Sequence, residues 1–376
     1  MTQQEPPRPI SRRQLARGAI WTMPAVMVSV PAPARATSHC LGGDDGDVIW
    51  DTPGISQVCL DIPAASTVYY EVAGGEGGLT ATSGKGAKLA GRLDGVSGAP
   101  VNLRLVVPEG GISGPSNSAN NGGDGYGHGG GTPAANAHGD IVSGSGGGGA
   151  AILLGNTGNH VVVAAGGGGG GTWNATGGTA GCTTNAGQFS LMGASGDGGA
   201  PAGVDAEENR SAQIVPPPAP KAEVTAHGGE GATGGTHGAA GHAGAHTVPA
   251  TGFDVYLSGG HVGGNHGGGM HQGGNGGHGA FPWGGHSPGL RAGFMGAGGG
   301  GGGGYAGGGG GGNAWLSATE CHRWVAIGGG GGGGSSYLAT HLSVTPVDNA
   351  YALNGTNNAA DGSRAKNGHI RIWWSQ

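Results

Sequence analysis

Charged and aromatic side chains are scarce in this chain of 376 residues, at 10% and 5% of the positions. An average soluble protein has about 25% charged residues, and aromatic side chains bury more apolar area than any others. A conventional hydrophobic core built evenly along the chain is therefore not expected.

Positive charge is missing from most of the chain. The net charge is −6, and the first 36 residues hold five arginines against Glu5, a balance of +4, so the remainder is near −10. Binding to nucleic acid or to anionic lipid needs a clustered positive surface. The composition therefore argues against both partners.

Apolar runs long enough to cross a membrane are absent as well. The uncharged stretch 18–34 follows the pair Arg12 and Arg13 and ends in Ala34-Arg35-Ala36. It is too short and too rich in Pro and Ala to span a bilayer. A charged start, an apolar middle and a small-x-small exit predict a cleavable signal peptide over 1–36, and the paired arginines indicate the twin-arginine route. We therefore expect a secreted or cell-surface protein without a transmembrane segment.

Cysteine is rare too, with four residues. An even number in an exported chain favours disulfides over metal sites. Three pairings are possible, and we favour Cys40–Cys59 with Cys182–Cys321, because the second pair would close a long glycine-rich segment and so remove much unfolded-state entropy.

Glycine is what the chain has in abundance, with 96 residues. The uninterrupted runs are 146–149, 166–171, 298–304, 307–312 and 328–334. Such runs cannot hold an α-helix, but they can form extended threefold helices like polyproline II, which satisfy one another's backbone groups laterally. The alternative is that they are flexible linkers. Their direct connection to apolar segments, and the aromatic residues at their edges, favour an ordered bundle.

Strand-like segments flank these runs, with apolar positions that alternate or run continuously between Gly and Pro. The predicted strands are 48–50, 58–60, 67–72, 88–93, 101–107, 152–154, 161–164, 323–327, 337–344 and 369–373. They predict a small antiparallel β-sandwich.

Three stretches resemble a known family: Val161 to Gly166 and onward, Gly298 through Tyr305 to Gly312, and Gly328 to Tyr337. They are similar to the glycine-rich domain of the anaplastic lymphoma kinase and leukocyte tyrosine kinase receptors, and equally to bacterial exported glycine-rich proteins. The resemblance covers roughly Thr67 to Ile372. It implies a bundle of glycine helices inserted into a β-sandwich of the tumour-necrosis-factor type. No kinase or transmembrane segment accompanies it, so cytokine signalling is not carried over.

The expected fold is accordingly mainly β plus irregular, with a bundle of polyproline II-like (polyglycine II) helices inserted into a small antiparallel sandwich. Residues 1–36 form the signal peptide and 37–110 the N-terminal strands. Residues 111–321 hold the glycine-rich bundle, its interspersed strands and histidine-rich loops. Residues 322–376 supply the last glycine run and the strands that close the sandwich.

Histidine is enriched between His227 and His286, which contains nine of the 16. The weak candidates for metal ligands are His242, His246, His261, His266 and His271. The four-residue offset of His242 and His246 would place two ligands on one helical face. Gly244 and its glycine neighbours argue against a helix there, and the alternative is that the histidines decorate exposed turns.

No catalytic set is visible. Gly285 to Gly289 matches the G-x-S-x-G pattern, but Pro288 lacks the N–H that an oxyanion hole requires. We predict a non-enzymatic protein without a cofactor, a structural or adhesive scaffold that displays the loops 113–140 and 200–285 to a surface ligand or cell-envelope component, with self-association as a further possibility. The alternatives are ice or carbohydrate binding and histidine-based metal binding.

Overall fold

The computed structural model of the chain describes residues 40–78, 83–112, 121–132, 143–175, 183–186, 192–193, 198–199, 202–203, 205–206, 210–215, 222–247, 253–264, 298–318, 323–353 and 364–376. Every regular element in these ranges is a β-strand, and the strands form four sheets. The protein is therefore mainly β, and nearly all of the strand pairs are antiparallel.

Two of the sheets pack as a sandwich. Sheet I has the order β1 (Leu41–Gly42), β3 (Gly54–Asp61), β6 (Val101–Val107), β7 (Ala150–Leu154), β8 (His160–Ala164), β18 (Tyr337–Leu338). Sheet II has the order β19 (Thr345–Leu353), β5 (Ala87–Asp94), β4 (Thr67–Ala73), β20 (His369–Ser375), β2 (Gly46–Trp50). Sheet I takes β7 and β8 from within the range 111–321.

The core of this sandwich follows from the alternation of the strands. In β20, Ile370, Ile372 and Trp374 are buried, while the residues between them are half-buried. They pack with residues of both sheets, including Tyr70, Val72, Leu89, Leu103, Leu105 and Ile152. Sheet I is also covered on its other face, where Val106, Leu153 and Val163 form a separate apolar cluster with Tyr126. Burial on both faces explains the continuous apolar runs of β7 and β8.

The remaining two sheets form a smaller pair. Sheet III has the order β11 (Met192–Gly193), β9 (Gly171–Ala175), β17 (Arg323–Gly328), β16 (Asn313–Ala318), β15 (Phe253–Ser258). Sheet IV has the order β10 (Thr183–Ala186), β12 (Arg210–Val215), β13 (Ala222–Ala226), β14 (Ala243–Thr247). Their shared core contains Ala222, Val224, Ala226, Ala314, Leu316, Val325 and Ile327.

One sequence-predicted strand differs from the structure. The segment 337–344 is a strand only over β18, and turns and bends occupy most of the residues up to β19. Exposed polar residues interrupt the apolar pattern at Thr340, His341 and Ser343. Strand β19 itself was not anticipated, because Pro346, Asp348 and Asn349 are residue types that strands disfavour. A bulge between Val347 and Ala350 accommodates them.

Glycine segments outside the strands are held together by backbone hydrogen bonds. We call the segments 74–78, 84–86, 108–112, 121–132, 143–149, 165–170, 227–232, 238–242, 259–264, 298–304, 307–312, 329–335 and 364–368 the glycine array. Two of them connect the sheet pairs directly, because 165–170 joins β8 to β9 and 329–335 joins β17 to β18.

The hydrogen bonds of segment 165–170 change partner with a period of three residues. The amides of Gly166 and Gly169 donate to segment 298–304, and those of Gly167 and Gly170 donate to segment 74–78, over 2.7 to 3.2 Å. The carbonyls of residues 166 and 169 accept from segment 329–335, whereas those of 167 and 170 accept from segment 143–149. A segment with a three-residue repeat thus bonds most of its backbone groups to several segments that lie alongside it.

Side chains mark the perimeter of the array. The unbroken runs are buried throughout, whereas the edge segments 121–132 and 238–242 also carry exposed residues with side chains. Asn121 and Asp124 are exposed, and so are Ala239 and His242, while Gly238 and Gly241, which directly precede the latter two, are buried. A Cβ added at the central Gly168 would collide with the carbonyl oxygen of Gly331. The central segments are therefore glycine because their neighbours leave no room for a side chain.

Candidate functional site: a tyrosine-lined cleft

The sequence-predicted histidines do not form a common cluster in the part of the chain that is described. His242 and His261 are exposed at the perimeter of the array, and His246 lies in strand β14. His266 and His271 lie outside the described residues. Because the backbone around His242 and His246 is extended, their four-residue offset does not create a shared helical face.

His242 instead pairs with His227. Their rings stack with centroids 3.8 Å apart, and the His227 amide donates to the His242 carbonyl. Within the described ranges, no group of three or more His, Cys, Asp or Glu residues could hold a metal ion.

The predicted Cys40–Cys59 disulfide is present, with Cα atoms 4.5 Å apart. It ties the residue before β1 to strand β3, with which β1 pairs in parallel. Cys182 and Cys321 lie outside the described residues, as do the signal residues Arg12, Arg13, Ala34 and Ala36. No helix in the described ranges is long and apolar enough to cross a membrane.

A cleft of about 420 Å³ opens beside the edge strands of the sandwich. Strand β18 supplies Tyr337 and Leu338, β19 supplies Asn349 to Tyr351, and the turn between two glycine segments supplies Tyr305. Leu89, Gly234 and Ser336 complete the lining. We call this site the tyrosine cleft.

The aromatic wall of the tyrosine cleft is built from stacked rings. Tyr305 and Tyr337 lie nearly parallel, with centroids 4.4 Å apart and planes 16° apart. His160 meets both rings edge-on, at 5.7 and 6.0 Å. Parallel stacking on one side and edge contacts on the other fix the two tyrosines in one arrangement.

His160 is itself held by Tyr126, whose hydroxyl hydrogen-bonds to His160 Nε2. Burial, together with the nearby Tyr305, raises the pKa of Tyr126 against the lowering effect of Arg104. The phenol therefore keeps its proton, so it can donate to Nε2 when the ring proton of His160 is on Nδ1. Burial and the neighbouring Tyr337 also raise the pKa of Tyr305, so the Tyr305 phenol stays uncharged above neutral pH.

Two buried serines fix the backbone beneath the aromatic wall. Ser335 Oγ accepts from Ala306 N at 3.0 Å and donates to Gly234 O, and the Tyr305 amide donates to Ser335 O at 2.8 Å. Ser336 Oγ accepts from Ala165 N at 3.1 Å. Because these bonds connect the Tyr305 turn to strand β18, the cleft is rigid where the tyrosines lie.

The opposite wall is oriented by the sandwich core. The fully buried Tyr70 donates its hydroxyl to Asn349 Oδ1, and burial raises the pKa of Tyr70, so that it remains a donor. The side-chain oxygen of Asn349 is thereby committed to the core, and its amide nitrogen Nδ2 is left as a donor at the surface. Tyr351 donates to Gly198 O at 2.5 Å.

A second cleft of about 430 Å³ lies at the start of β3, lined by Ile55, Glu109, Asp124 and His128 among others. Its carboxylates are already engaged. Glu109 pairs with Arg364 at 2.7 Å and Asp124 with His128 at 3.3 Å. Because both contacts are partly exposed surface interactions, each contributes little, and the tyrosine cleft is the better candidate site.

Glu76 is the one carboxylate buried within the array. Its neighbours Gly74 and Gly77 face segment 165–170, so the side chain of Glu76 takes another side, near Lys85 and Lys366. It is fully buried, and among the described residues neither carboxylate oxygen has a hydrogen-bond partner of good geometry. Burial raises its pKa to about 7, against the lowering effect of Lys366 and Lys85.

The sequence contained only a partial signal for the tyrosine cleft. Tyr305 and Tyr337 stand out as isolated aromatic residues at the edges of glycine runs. Asn349 and Tyr351 carry no signal of their own, because their place beside Tyr337 depends on how sheets I and II pack.

Comparison with known proteins identifies no relative. No protein-family model matches the chain, and no curated protein matches its sequence significantly.

Proposed function

We propose that the protein is an exported, non-enzymatic scaffold with a structural or adhesive role at the cell surface or outside the cell. The observation that carries this proposal is the three-residue period of the hydrogen bonds in the glycine array. It supports a core made of backbone, which is rigid and leaves the perimeter residues free for display.

The same period supports the interpretation of the segments as polyglycine II helices. Such a helix has three residues per turn, and its amides and carbonyls point outward to neighbours on several sides. The donors of segment 165–170 alternate between two neighbours in this way. Weak Cα–H···O contacts between close-packed glycines would add to the stability of the bundle.

The packing of sheets I and II supports the second part of the fold proposal, a sandwich of the tumour-necrosis-factor type. Glycine segments emerge from β4, β6 and β8 and return through β5, β7 and β20. This arrangement is the one implied by the resemblance to the glycine-rich domain of the receptor kinases and of bacterial exported proteins. We propose that relationship for the architecture only, since function depends on sites and not on folds.

Export is supported by the pair Arg12 and Arg13 and by the Cys40–Cys59 disulfide. Disulfides form mainly in oxidising compartments. The twin-arginine route carries folded chains, which suits a bundle whose contacts come from distant parts of the sequence.

The proposal is tested by expressing the full chain with a C-terminal tag in a bacterium with an active twin-arginine pathway. Surface labelling and attachment of the cells to a surface coated with envelope fragments are measured. We expect labelled cells that attach more strongly than cells lacking the chain. The Arg12→Lys/Arg13→Lys variant should retain the chain inside and abolish the added attachment. Retention of the unmodified chain, or equal attachment with and without it, contradicts the proposal.

A further inference from the structure

We propose that the tyrosine cleft binds a neutral saccharide, with a sugar ring on the Tyr305–Tyr337 wall. This assignment specifies a ligand class for the adhesive function proposed above. It rests on that function, because the cleft must lie outside the cell to meet the saccharide. This site differs from a carbohydrate-binding flat face of the glycine bundle, because the cleft lies at the edge of the sandwich.

The lining determines the charge of the ligand. None of the described residues that line the cleft is charged, so an ionic ligand would lose its hydration without gaining a partner among them. The lining combines aromatic and aliphatic surface with hydroxyl and amide groups. A sugar ring has the matching chemistry, because its faces present C–H groups and its edges present hydroxyls. The volume of about 420 Å³ falls within the roughly 300–1,000 Å³ of small-molecule sites.

The aromatic wall is organised before any ligand arrives. The stack of Tyr305 on Tyr337 and the edge contacts of His160 restrict both rings. The bonds of Ser335 restrict the backbone that carries Tyr305. Little conformational entropy is therefore lost when a ligand packs on the wall.

Two polar groups at the cleft are available to sugar hydroxyls. The Tyr337 hydroxyl and Asn349 Nδ2 are without hydrogen-bond partners among the described residues. Tyr70 holds Asn349 by its oxygen, so Nδ2 is a fixed donor. Asn349 Nδ2 can donate, and the Tyr337 hydroxyl can both donate and accept. Together, beside the aromatic wall, they suit two neighbouring hydroxyls of a sugar.

The edges of the cleft disfavour an extended peptide. Addition of a strand would need a free, regular sheet edge. Beside β18, the position that an added strand would take is occupied by Gly199. Its carbonyl accepts from the Ser336 amide, and it forms a β-bridge with Ser335. At β19 the bulge at Asp348, whose φ is 51°, breaks the register. A compact ring therefore fits better than a strand.

The test uses the purified mature chain and ligand-observed saturation-transfer NMR, followed by calorimetry. The neutral probes are cellobiose, maltose, lactose and diacetylchitobiose. The comparison probes are digalacturonate, which is charged, and a proline-rich peptide. We expect saturation transfer from at least one neutral disaccharide, and neither transfer nor heat from the charged disaccharide or the peptide. Binding of the peptide in preference to every sugar, or no transfer from any neutral sugar, overturns the proposal.

Three variants locate the binding. Tyr337→Ala removes the ring and should weaken the affinity about tenfold or more, whereas Tyr337→Phe keeps the ring and should weaken it only severalfold. Asn349→Asp keeps an oxygen acceptor for Tyr70 but removes the Nδ2 donor, and should also weaken binding about tenfold. Tyr69→Ala is the matched control, because Tyr69 stacks on Trp373 away from the cleft.

Asn349 is exposed, so its substitution tests the cleft even if Tyr337→Ala fails to fold. Unchanged affinity in both Asn349→Asp and Tyr337→Phe would contradict the assignment. Sugar binding by a chain that fails to attach cells would contradict the adhesive function alone. Absence of sugar binding by an unmodified chain that still attaches cells would contradict the saccharide proposal alone.

Discussion

At the scale of single residues, the central glycines are fixed by the space between neighbouring backbones. At Gly168 an added Cβ would collide with the carbonyl oxygen of Gly331, whereas at Gly259 it would meet only Gly241 O at 3.6 Å. The same substitution should therefore be much more destabilising in the centre of the array than at its perimeter.

We expect Gly168→Ala to lower the free energy of unfolding by about 1–3 kcal/mol, because backbone segments must move apart to admit the methyl group. Gly259→Ala should change it by less than about 0.5 kcal/mol. Thermal unfolding followed by circular dichroism measures both. Equal stability of the two variants would show that the glycine contacts are not close in solution.

Glu76 should make stability depend on pH. Its pKa is raised to about 7 in the folded chain from an ordinary 4.5, so its contribution is greatest below pH 4.5 and is lost as the pH rises to 7. Glu76→Gln imitates the protonated side chain. We expect it to match the wild type near pH 4 and to exceed its stability by about 1–3 kcal/mol above pH 7.

Glu71→Gln is the control of opposite sign. Burial raises the pKa of Glu71, but hydrogen bonds and charge from Lys88 and His369 outweigh it and lower the value overall. This variant should be less stable at pH 7, and the difference should close as the pH falls below about 4.5. Parallel pH profiles for the two variants would contradict the assignment of Glu76.

At the scale of elements, the strands at the start of the described chain depend on a covalent link. Strand β1 has two residues and pairs only with β3. A strand this short gains little from its ladder, so the Cys40–Cys59 bond is what holds it in place.

The Cys40→Ser/Cys59→Ser variant should lose about 3 kcal/mol of stability, the chain-entropy value for a loop of this separation. Denaturant unfolding of the oxidised wild type and of the variant gives the difference. Adding reductant to the variant then tests the predicted Cys182–Cys321 pair, because a further loss of stability requires a second disulfide. Identical denaturant midpoints for the wild type and the variant would show that the Cys40–Cys59 disulfide does not contribute to stability.

At the scale of the whole molecule, the glycine array connects two sheet pairs through the backbone. Segments 165–170 and 329–335 each run from one pair to the other and share hydrogen bonds. A change that disturbs one of these segments should therefore lower the stability of both sheet pairs.

Hydrogen exchange should show this cooperativity. We expect the amides in 166–170, 299–303 and 329–334 that donate to neighbouring segments to exchange as slowly as those of strand β4, because they are buried and bonded. The perimeter segment 259–262 serves as the fast-exchanging reference. Exchange of the central runs at the rate of an unfolded chain would identify them as linkers.

The sequence by itself determined the locations of about half of the described strands, nearly all of them in sheets I and II. Alternation over 67–72 and 369–373 and continuous apolar runs at 152–154 and 161–164 follow from burial of one or both faces. Composition also indicated that glycine would replace side chains in part of the core. These properties are local, so they can be read from a single segment.

The tertiary structure alone decided which segments are neighbours. The pairing of β18 with β8, the second sheet pair and the place of Asn349 beside Tyr337 join residues far apart in the chain. Glycine runs of identical sequence carry no information about their partners, because every residue offers the same amide and carbonyl. Only the strands at their ends, with distinct side chains, can fix the register of the array and thereby the shape of the cleft.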